Sequence, residues 1–131
     1  MDFNKVKGFT LIEVMITIVI VSILASLATV SYRSYIVKAR RQDVQEYMII
    51  LQQSIEEFYA LNHTYNGAQS ASHNYDGIYT IGYSLDGGYT LTATAIGSQS
   101  SDTDCKVIVL TRSGVKKGGP STDSVDENVC W

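Results

Sequence analysis

The hydrophobic residues of this 131-residue chain are distributed unevenly, and the densest stretch lies near its start. From Phe9 to Val30 the chain reads FTLIEVMITIVIVSILASLATV, in which Glu13 is the only charged residue. As a helix this segment would rise about 33 Å, enough to cross a hydrocarbon core of about 30 Å. Three interpretations are open: a secretory signal cleaved near Ser26-Leu27-Ala28, a retained membrane span, or the core helix of a globular domain. The helical pattern continues past Ala28, and too few apolar residues remain elsewhere to surround the segment, so the sequence favours a retained span.

A helical repeat of apolar positions continues beyond Val30. Its members recur at intervals of three, four or seven residues, which places them on one helix face: Val37, Val44, Met48, Leu51, Ile55 and Phe58. Neither glycine nor proline occurs between Phe9 and Leu61. The pattern predicts one helix over residues 9–61, apolar on all sides in its first half and amphipathic over residues 31–61.

The rest of the chain, after residue 61, lacks the helical repeat and predicts loops and short strands. Residues 62–78 are rich in Asn, Ser and Gly and predict a loop. Strands are predicted at Tyr79–Leu85, Tyr89–Ala95 and Lys106–Thr111, and a turn at Asp86-Gly87-Gly88 joins the first two. After Thr111 the chain is polar and glycine-rich, which predicts a C-terminal loop. The expected fold class is α+β: a long N-terminal helix whose amphipathic half packs on a small antiparallel sheet spanning residues 79–111.

Composition and charge narrow the function classes. Apolar residues make up 45% of the chain, but 16 of them fall between Phe9 and Val30, so the remainder is rather polar. Lys and Arg number 10 against 13 Asp and Glu, a net charge of −3, which excludes a uniformly basic nucleic-acid binder but not a local basic patch. Pro120 is the only proline, which excludes collagen-like and proline-rich disordered chains.

Two signals in the sequence disagree about the compartment in which the large C-terminal domain lies. Lys5 and Lys7 precede the apolar segment, whereas the cations Arg33, Lys38, Arg40 and Arg41 follow it, so the charge count alone would place the large domain in the cytoplasm. Cys105 and Cys130 are the only cysteines and show no metal-binding spacing. They are either two free thiols or a disulfide, and a disulfide would indicate an oxidising compartment. We give the cysteines more weight than the charges.

The N-terminal segment closely resembles that of type IVa pilins. The resemblance is carried by Gly8-Phe9-Thr10-Leu11-Ile12-Glu13 before the apolar run, by Ser31-Tyr32, Tyr35 and Lys38-Ala39-Arg40-Arg41, and by the paired C-terminal cysteines. The C-terminal half is most similar to small minor pilins, including the group related to DNA-uptake receptors. This chain departs from the family pattern at two positions: it has Ser22 and Val30 where many pilins carry a helix-breaking Gly and Pro.

This resemblance implies a domain plan and a set of partners. Residues 1–8 would be a leader removed by prepilin peptidase after Gly8, with methylation of the new Phe9 amine. Residues 9–30 would form the transmembrane and later filament-core helix, and residues 31–131 a periplasmic head with the pilin fold, its C-terminal loop bounded by a disulfide at 105–130. Partners would be the inner membrane and then other pilin subunits of an extracellular filament. Leader removal leaves 8 basic and 12 acidic side chains, a net charge of −4.

Glu13 is the residue for which the sequence predicts the most specific role. A carboxylate within an apolar segment needs a partner. The resemblance implies that it pairs with the Phe9 amine of a neighbouring subunit and so sets the register of assembly. The alternative is a capping box, because Thr10 and Glu13 have the required spacing. The two roles are compatible.

The remaining polar residues give one further candidate site. Four cations, Lys106, Arg112, Lys116 and Lys117, lie within twelve residues. They form either a local patch that contacts DNA phosphates or a solvated turn whose charge is offset by Asp104, Asp123 and Asp126. His63 and His73, or Asp102 and Asp104, lack the ligand sets of metal sites, and neither a catalytic motif nor a cofactor motif occurs. The leading hypothesis is a minor type IV pilin that primes or joins a filament. The alternatives are a DNA-uptake receptor pilin and a type II secretion pseudopilin.

Overall fold

The structure is a computed structural model that describes residues 8–68 and 73–131, with residues 29 and 30 described by their backbone alone. Lys5 and Lys7, on which the leader prediction depends, lie outside the described residues. The chain divides into two compact units, one ending at Ile36 and the other comprising Val37–Trp131. We call the second unit the head.

Helix α1 spans Leu11–Asn62, close to the predicted residues 9–61. It is uninterrupted because this stretch contains no residue that breaks the backbone hydrogen-bond ladder. It ends where His63 takes the left-handed conformation, with φ 54°. The amide of His63 still donates to the Tyr59 carbonyl, and the Asn62 side chain donates to the Phe58 carbonyl, so the last turn is satisfied.

Six strands form one antiparallel sheet in which each strand pairs with the next along the chain. The strands are β1 His73–Tyr75, β2 Tyr79–Ser84, β3 Thr90–Ala95, β4 Val107–Thr111, β5 Lys116–Ser121 and β6 Ser124–Glu127. A short 3-10 helix, η1, covers Gly97–Ser101 between β3 and β4. The fold is α+β and pilin-like, as the sequence predicted.

The sheet extends beyond the predicted residues 79–111 in both directions. Strand β1 lies in the segment predicted to be a loop, and β5 and β6 lie in the predicted C-terminal loop. The sequence of β5, Lys-Lys-Gly-Gly-Pro-Ser, shows no alternation of apolar and polar residues, so its pattern does not predict a strand. Pro120 lies within a register irregularity between Gly118 and Ser121, where a missing amide donor is tolerated.

The core of the head lies between the amphipathic half of α1 and one face of the sheet. Four predicted stripe residues are buried, namely Val44, Met48, Leu51 and Ile55, whereas Val37 and Phe58 are only partly buried. The sheet contributes Tyr79, Ile81, Tyr89, Leu91, Ala93, Ala95, Ile108 and Leu110. The alternation in β3 and β4 therefore puts one set of side chains against the helix.

The N-terminal unit has no core of its own. From Gly8 to Tyr35 every described side chain is exposed. By length and composition α1 is able to cross a membrane, and none of its most apolar window is buried. The backbone of this stretch is satisfied by its own helix, so its apolar side chains are what remains to be covered.

Candidate functional site

The predicted processing and assembly residues lie at the exposed N-terminal end of α1. The Thr10 amide donates to Oε2 of Glu13 over 3.5 Å, and the Glu13 amide donates to Oγ1 of Thr10 over 3.3 Å. This is the capping box that was the alternative interpretation of Glu13. Phe9 is 83% exposed and Gly8 has open space around it. The register role of Glu13 remains a prediction, since it concerns a second subunit.

The two cysteines form a disulfide that fastens the C-terminal residues to the head. Cys105 and Cys130 are bonded, with their Cα atoms 5.7 Å apart. The neighbouring residues add polar contacts: the Gln45 side chain donates to the Cys130 carbonyl, and Nε1 of Trp131 donates to the Lys117 carbonyl over 2.9 Å. The three C-terminal residues thus pack against α1 and β5.

Two glycines in β5 make room for this packing. A Cβ atom on Gly118 would lie 2.7 Å from both the Cys130 Cβ and the Val129 carbonyl oxygen. A Cβ atom on Gly119 would lie 1.8 Å from the Ser124 carbonyl oxygen, in β6. These positions explain why a strand carries two consecutive glycines: other chain segments occupy the space of their side chains.

The structure does not gather the four candidate cations into one patch. Lys106 precedes β4 and Arg112 follows it, so about 20 Å of extended chain separates them. Lys116 is paired with Leu110 and Lys117 with Val109, and successive strand residues point to opposite faces. Since Leu110 belongs to the core, Lys116 lies on the helix-side face, as does Arg112, and Lys117 lies on the other face. Only Arg112 and Lys116 share both a face and an end of the sheet.

Each of these two cations is stacked on an aromatic ring. The guanidinium carbon of Arg112 lies 5.1 Å from the ring centre of Tyr65 and 5.9 Å from that of Tyr59. Nζ of Lys116 lies 4.8 Å from the ring centre of Trp131. Such stacking holds a cation in place while leaving its donors available to an anion. We call Arg112 and Lys116 with these rings the hairpin patch.

The other two cations differ in their surroundings. Nζ of Lys117 lies 3.9 Å from Oε1 of Glu127 in β6, so its charge is partly offset. Lys106 is exposed; its carbonyl accepts from the Ala95 amide, but its ammonium group has neither a hydrogen bond nor an ion pair with any residue that the structure describes. Lys106 is therefore an accessible cation at the opposite end of the sheet from the hairpin patch.

Glu56 on α1 contacts Arg112 and two tyrosine hydroxyls. Its Oε1 accepts from the Tyr89 hydroxyl over 3.0 Å, and its Oε2 accepts from the Tyr65 hydroxyl over 3.2 Å. Nε of Arg112 lies 3.9 Å from Oε1. The Tyr83 hydroxyl donates to the Tyr65 carbonyl, which ties the loop after α1 to the sheet.

Burial shifts the titration of the tyrosines in this region. Desolvation, followed by the hydrogen bond to Glu56, raises the pKa of Tyr89 well above its ordinary value. Burial also raises the pKa of Tyr83 and of Tyr79, in the latter case against the opposing hydrogen bond from Gln99. All three hydroxyls are therefore protonated at neutral pH; those of Tyr83 and Tyr89 donate, whereas that of Tyr79 accepts from Gln99.

An open groove lies next to Arg112, between the β2–β3 and β4–β5 turns. Its volume is about 450 Å³, and its lining residues are Asp86, Gly87, Tyr89, Thr90, Thr111, Arg112 and Ser113. Gly88 beside it has φ 134°, and a Cβ there would lie 3.1 Å from Cδ of Arg112. The groove offers hydroxyl groups and one cation, with the exposed carboxylate of Asp86 opposing them.

Sequence reasoning missed the polar contacts that fix η1 to α1. Arg41 donates to both carboxylate oxygens of Asp102, at 2.7–3.0 Å, and Asp102 is 5% exposed. The Gln99 side chain, fully buried, donates to the Val37 carbonyl and to the Tyr79 hydroxyl. A signal existed in Arg41, a charge four residues after Val37 on the predicted apolar face, but its partner 61 residues away could not be named.

Each of the two histidines contacts a tyrosine. His63 packs its ring edge against Tyr59, and the Nε2 atom of His73 is 2.7 Å from the Tyr47 hydroxyl. Among residues 8–68 and 73–131, no three metal-ligating side chains come together.

Comparison with known families accounts for most of the chain. Residues 3–29 match the prokaryotic N-terminal methylation motif. Residues 30–109, more than half of the chain, match the family described as type IV minor pilin ComP, DNA uptake sequence receptor. The chain belongs to the ComP family of type IV minor pilins. This confirms the leading hypothesis and favours it over the pseudopilin alternative. Pilins are structural subunits rather than catalysts.

The limits of the match bear on the candidate residues. Lys106 lies inside the matched residues 30–109, whereas Arg112, Lys116 and Lys117 lie beyond them. The two cations of the hairpin patch therefore lie outside the match, whereas its rings Tyr59 and Tyr65 lie inside it. No solved structure matches the chain.

Proposed function

We propose that this minor pilin binds DNA through the hairpin patch. The observation that carries the proposal is that Arg112 and Lys116 share a face and an end of the sheet, each held over an aromatic ring. The family's description as a DNA uptake sequence receptor supports DNA as the ligand, and the geometry favours the β4–β5 hairpin over the other candidate cations.

Phosphate is the group that this patch recognises. The ring faces of Tyr65 and Trp131 are already covered by cations, which leaves the charges, rather than the rings, for the nucleic acid. The chain is acidic overall, so attraction to DNA is local and is weakened by salt. Glu56 and Asp86 beside the patch restrict how much of the duplex approaches it.

Two matched lysines test the proposal. Binding of a DNA duplex to the full-length chain in detergent micelles is measured over a range of salt concentrations. We expect Lys116→Gln to weaken binding and to reduce the slope of log affinity against log salt by about 1. Lys106→Gln, at a lysine more exposed than Lys116, should leave both unchanged, and Lys117→Gln should have a small effect. Equal losses at Lys106 and Lys116, or no salt-dependent binding at all, would contradict the proposal.

We further propose that the N-terminal residues are processed and act in assembly. Cleavage after Gly8 and methylation of Phe9 are supported by the match to the methylation motif and by the exposure of both residues. In a filament, the Glu13 carboxylate would then pair with the amine of a neighbouring subunit, a charge pair that gains strength where water is excluded.

Two substitutions separate this role from capping. Glu13→Gln keeps the capping box, since glutamine serves in it equally, but removes the charge. Thr10→Ala weakens the box but keeps the charge. Incorporation into filaments is measured by shearing pili from cells and probing for the subunit. We expect Glu13→Gln to abolish incorporation and Thr10→Ala to preserve it, and the reverse result would assign Glu13 to capping alone.

The location follows from the same proposal. We infer that the apolar stretch anchors the subunit in the inner membrane and that the head faces the periplasm, which the disulfide supports because such bonds persist in oxidising compartments. Quantitative alkylation of Cys105 and Cys130 in intact cells, without prior reduction, would place the head in a reducing compartment.

A further inference from the structure

Two of the nine tyrosines differ from the others in having neither a ring partner nor a hydroxyl partner among the residues that the structure describes. Seven tyrosines have a ring or hydroxyl partner in the head: Tyr47, Tyr59, Tyr65, Tyr75, Tyr79, Tyr83 and Tyr89. Tyr32 and Tyr35 are 65% and 68% exposed, and neither contacts another ring or forms a hydrogen bond within the described part of the chain. These two tyrosines therefore contribute nothing to the head core.

Their position along α1 identifies what they face. Tyr32 and Tyr35 are three residues apart, so they lie on the same side of the helix. They follow the apolar segment that ends at Val30 by about 3 and 8 Å of helix rise. The polar layer of a bilayer is about 5–7 Å thick on each side of its hydrocarbon core. The backbone of Tyr32 therefore lies within this layer and that of Tyr35 at its outer edge, and because helical side chains tilt back toward the N-terminus, both rings fall at the depth of the headgroups when Phe9–Val30 fills the core.

We propose that Tyr32 and Tyr35 are an interfacial anchor that binds the phospholipid headgroup layer and fixes the depth of the chain in the membrane before assembly. Tyrosine suits this layer because its ring is apolar and its hydroxyl is polar. Arg33 between them is exposed and has no ion-pair partner among residues 8–68 and 73–131, so it is available to lipid phosphate. The proposal rests on Phe9–Val30 being the membrane anchor, but not on DNA binding.

The test measures the depth of single tryptophans in the full-length chain. The chain is reconstituted into phosphatidylcholine and phosphatidylglycerol vesicles that contain nitroxide lipids labelled either near the headgroup or deep in the acyl chain. In a Trp131→Phe background, which leaves no native tryptophan, Tyr32→Trp and Tyr35→Trp report the proposed anchor. Ile20→Trp, near the middle of Phe9–Val30, is the matched control. Intact disulfide and unchanged helix content are checked in each variant.

We expect shallow quenchers to act more strongly than deep ones on tryptophan at positions 32 and 35, and the ratio to invert at position 20. If the position-20 control behaves so, but positions 32 and 35 are not quenched, the anchor is wrong and the rings face water or another subunit. Stronger quenching of positions 32 and 35 by the deep label would also overturn it. Failure of the control itself would overturn both the membrane anchor and the tyrosine anchor, whereas it has no bearing on the DNA-binding proposal, which concerns the head.

Discussion

Residues 8–36 and the head show two ways in which one helix is stabilised. Ile20 in the first stretch is 53% exposed, whereas Ile55 in the second is fully buried. The backbone hydrogen bonds are the same in both, so the difference lies in the side chains. In the first stretch a single helix satisfies its backbone and leaves its apolar surface for lipid or other chains. In the second, burial against the sheet provides the stability. Truncating a buried side chain of the head should therefore lower its free energy of unfolding, whereas truncating an exposed side chain in residues 8–36 should not.

The disulfide gives the largest expected effect on the head. Replacing both cysteines, Cys105→Ser and Cys130→Ser, should lower the free energy of unfolding by about 3.5 kcal/mol, because the denatured chain regains the freedom of the closed loop. Urea unfolding of the full chain in micelles, followed by near-ultraviolet circular dichroism of the head aromatics, measures this. Reduction of the wild-type chain should give the same loss. An unchanged midpoint would show that the bond contributes nothing to stability.

A pair of isoleucines on one helix sharpens the comparison. Ile55→Ala should cost about 3 kcal/mol, since it leaves a cavity against the sheet. Ile50→Ala, at a position 56% exposed, should cost less than about 0.5 kcal/mol. Ile20→Ala should leave head unfolding unchanged. Similar losses at positions 50 and 55 would mean that the helix presents a different face to the sheet.

The arginine pair tests the contacts of η1. Arg41→Gln leaves the carboxylate of Asp102 buried without its cation and should cost about 2 kcal/mol. Arg40 donates to the Ser98 hydroxyl at an exposed site, so Arg40→Gln should cost about 0.5 kcal/mol or less. The same unfolding assay applies. The order of the two effects is the decisive result, and a larger loss at Arg40 would contradict the structure.

The smallest effect at neutral pH, and a distinct one in alkali, comes from the tyrosines. Burial raises the pKa values of Tyr79, Tyr83 and Tyr89 above the ordinary 10.0, so the folded head holds these protons more tightly than the unfolded chain. Their contribution is fully present below pH 10 and is lost as pH rises through the folded values. Urea midpoints should be flat between pH 7 and pH 9 and fall above pH 10. Tyr89→Phe should weaken that fall, and a decline beginning near pH 8 would contradict it.

The parts of the fold that the sequence predicted are those with a regular pattern. Residues 9–61 carry a helical repeat without a break, β2 and β3 alternate, and β4 is a short apolar run, so their bounds were predicted to within two residues. Strands β5 and β6 were missed because β5 is stabilised by the close approach of other chain segments to Gly118 and Gly119, and a sequence pattern does not register such contacts.

The site was predicted in part for the same reason. Spacing brought Lys106, Arg112, Lys116 and Lys117 together in sequence, but strand alternation and strand length separate them in space. Pairing of Arg41 with Asp102, and of Glu56 with Tyr65 and Tyr89, depends on contacts between distant residues. Such contacts are set by the packing of α1 on the sheet, which no local pattern encodes.

Because every strand of the sheet pairs with the strand before it, the head is completed in the order in which its chain is synthesised. Each new strand finds its neighbour already in place, and no strand has to be inserted between two others. Cys105 precedes β4 and Cys130 follows β6, so the disulfide joins the residues on either side of these last three described strands. The oxidised bond is thus a chemical record that β4, β5 and β6 have taken their places in the sheet.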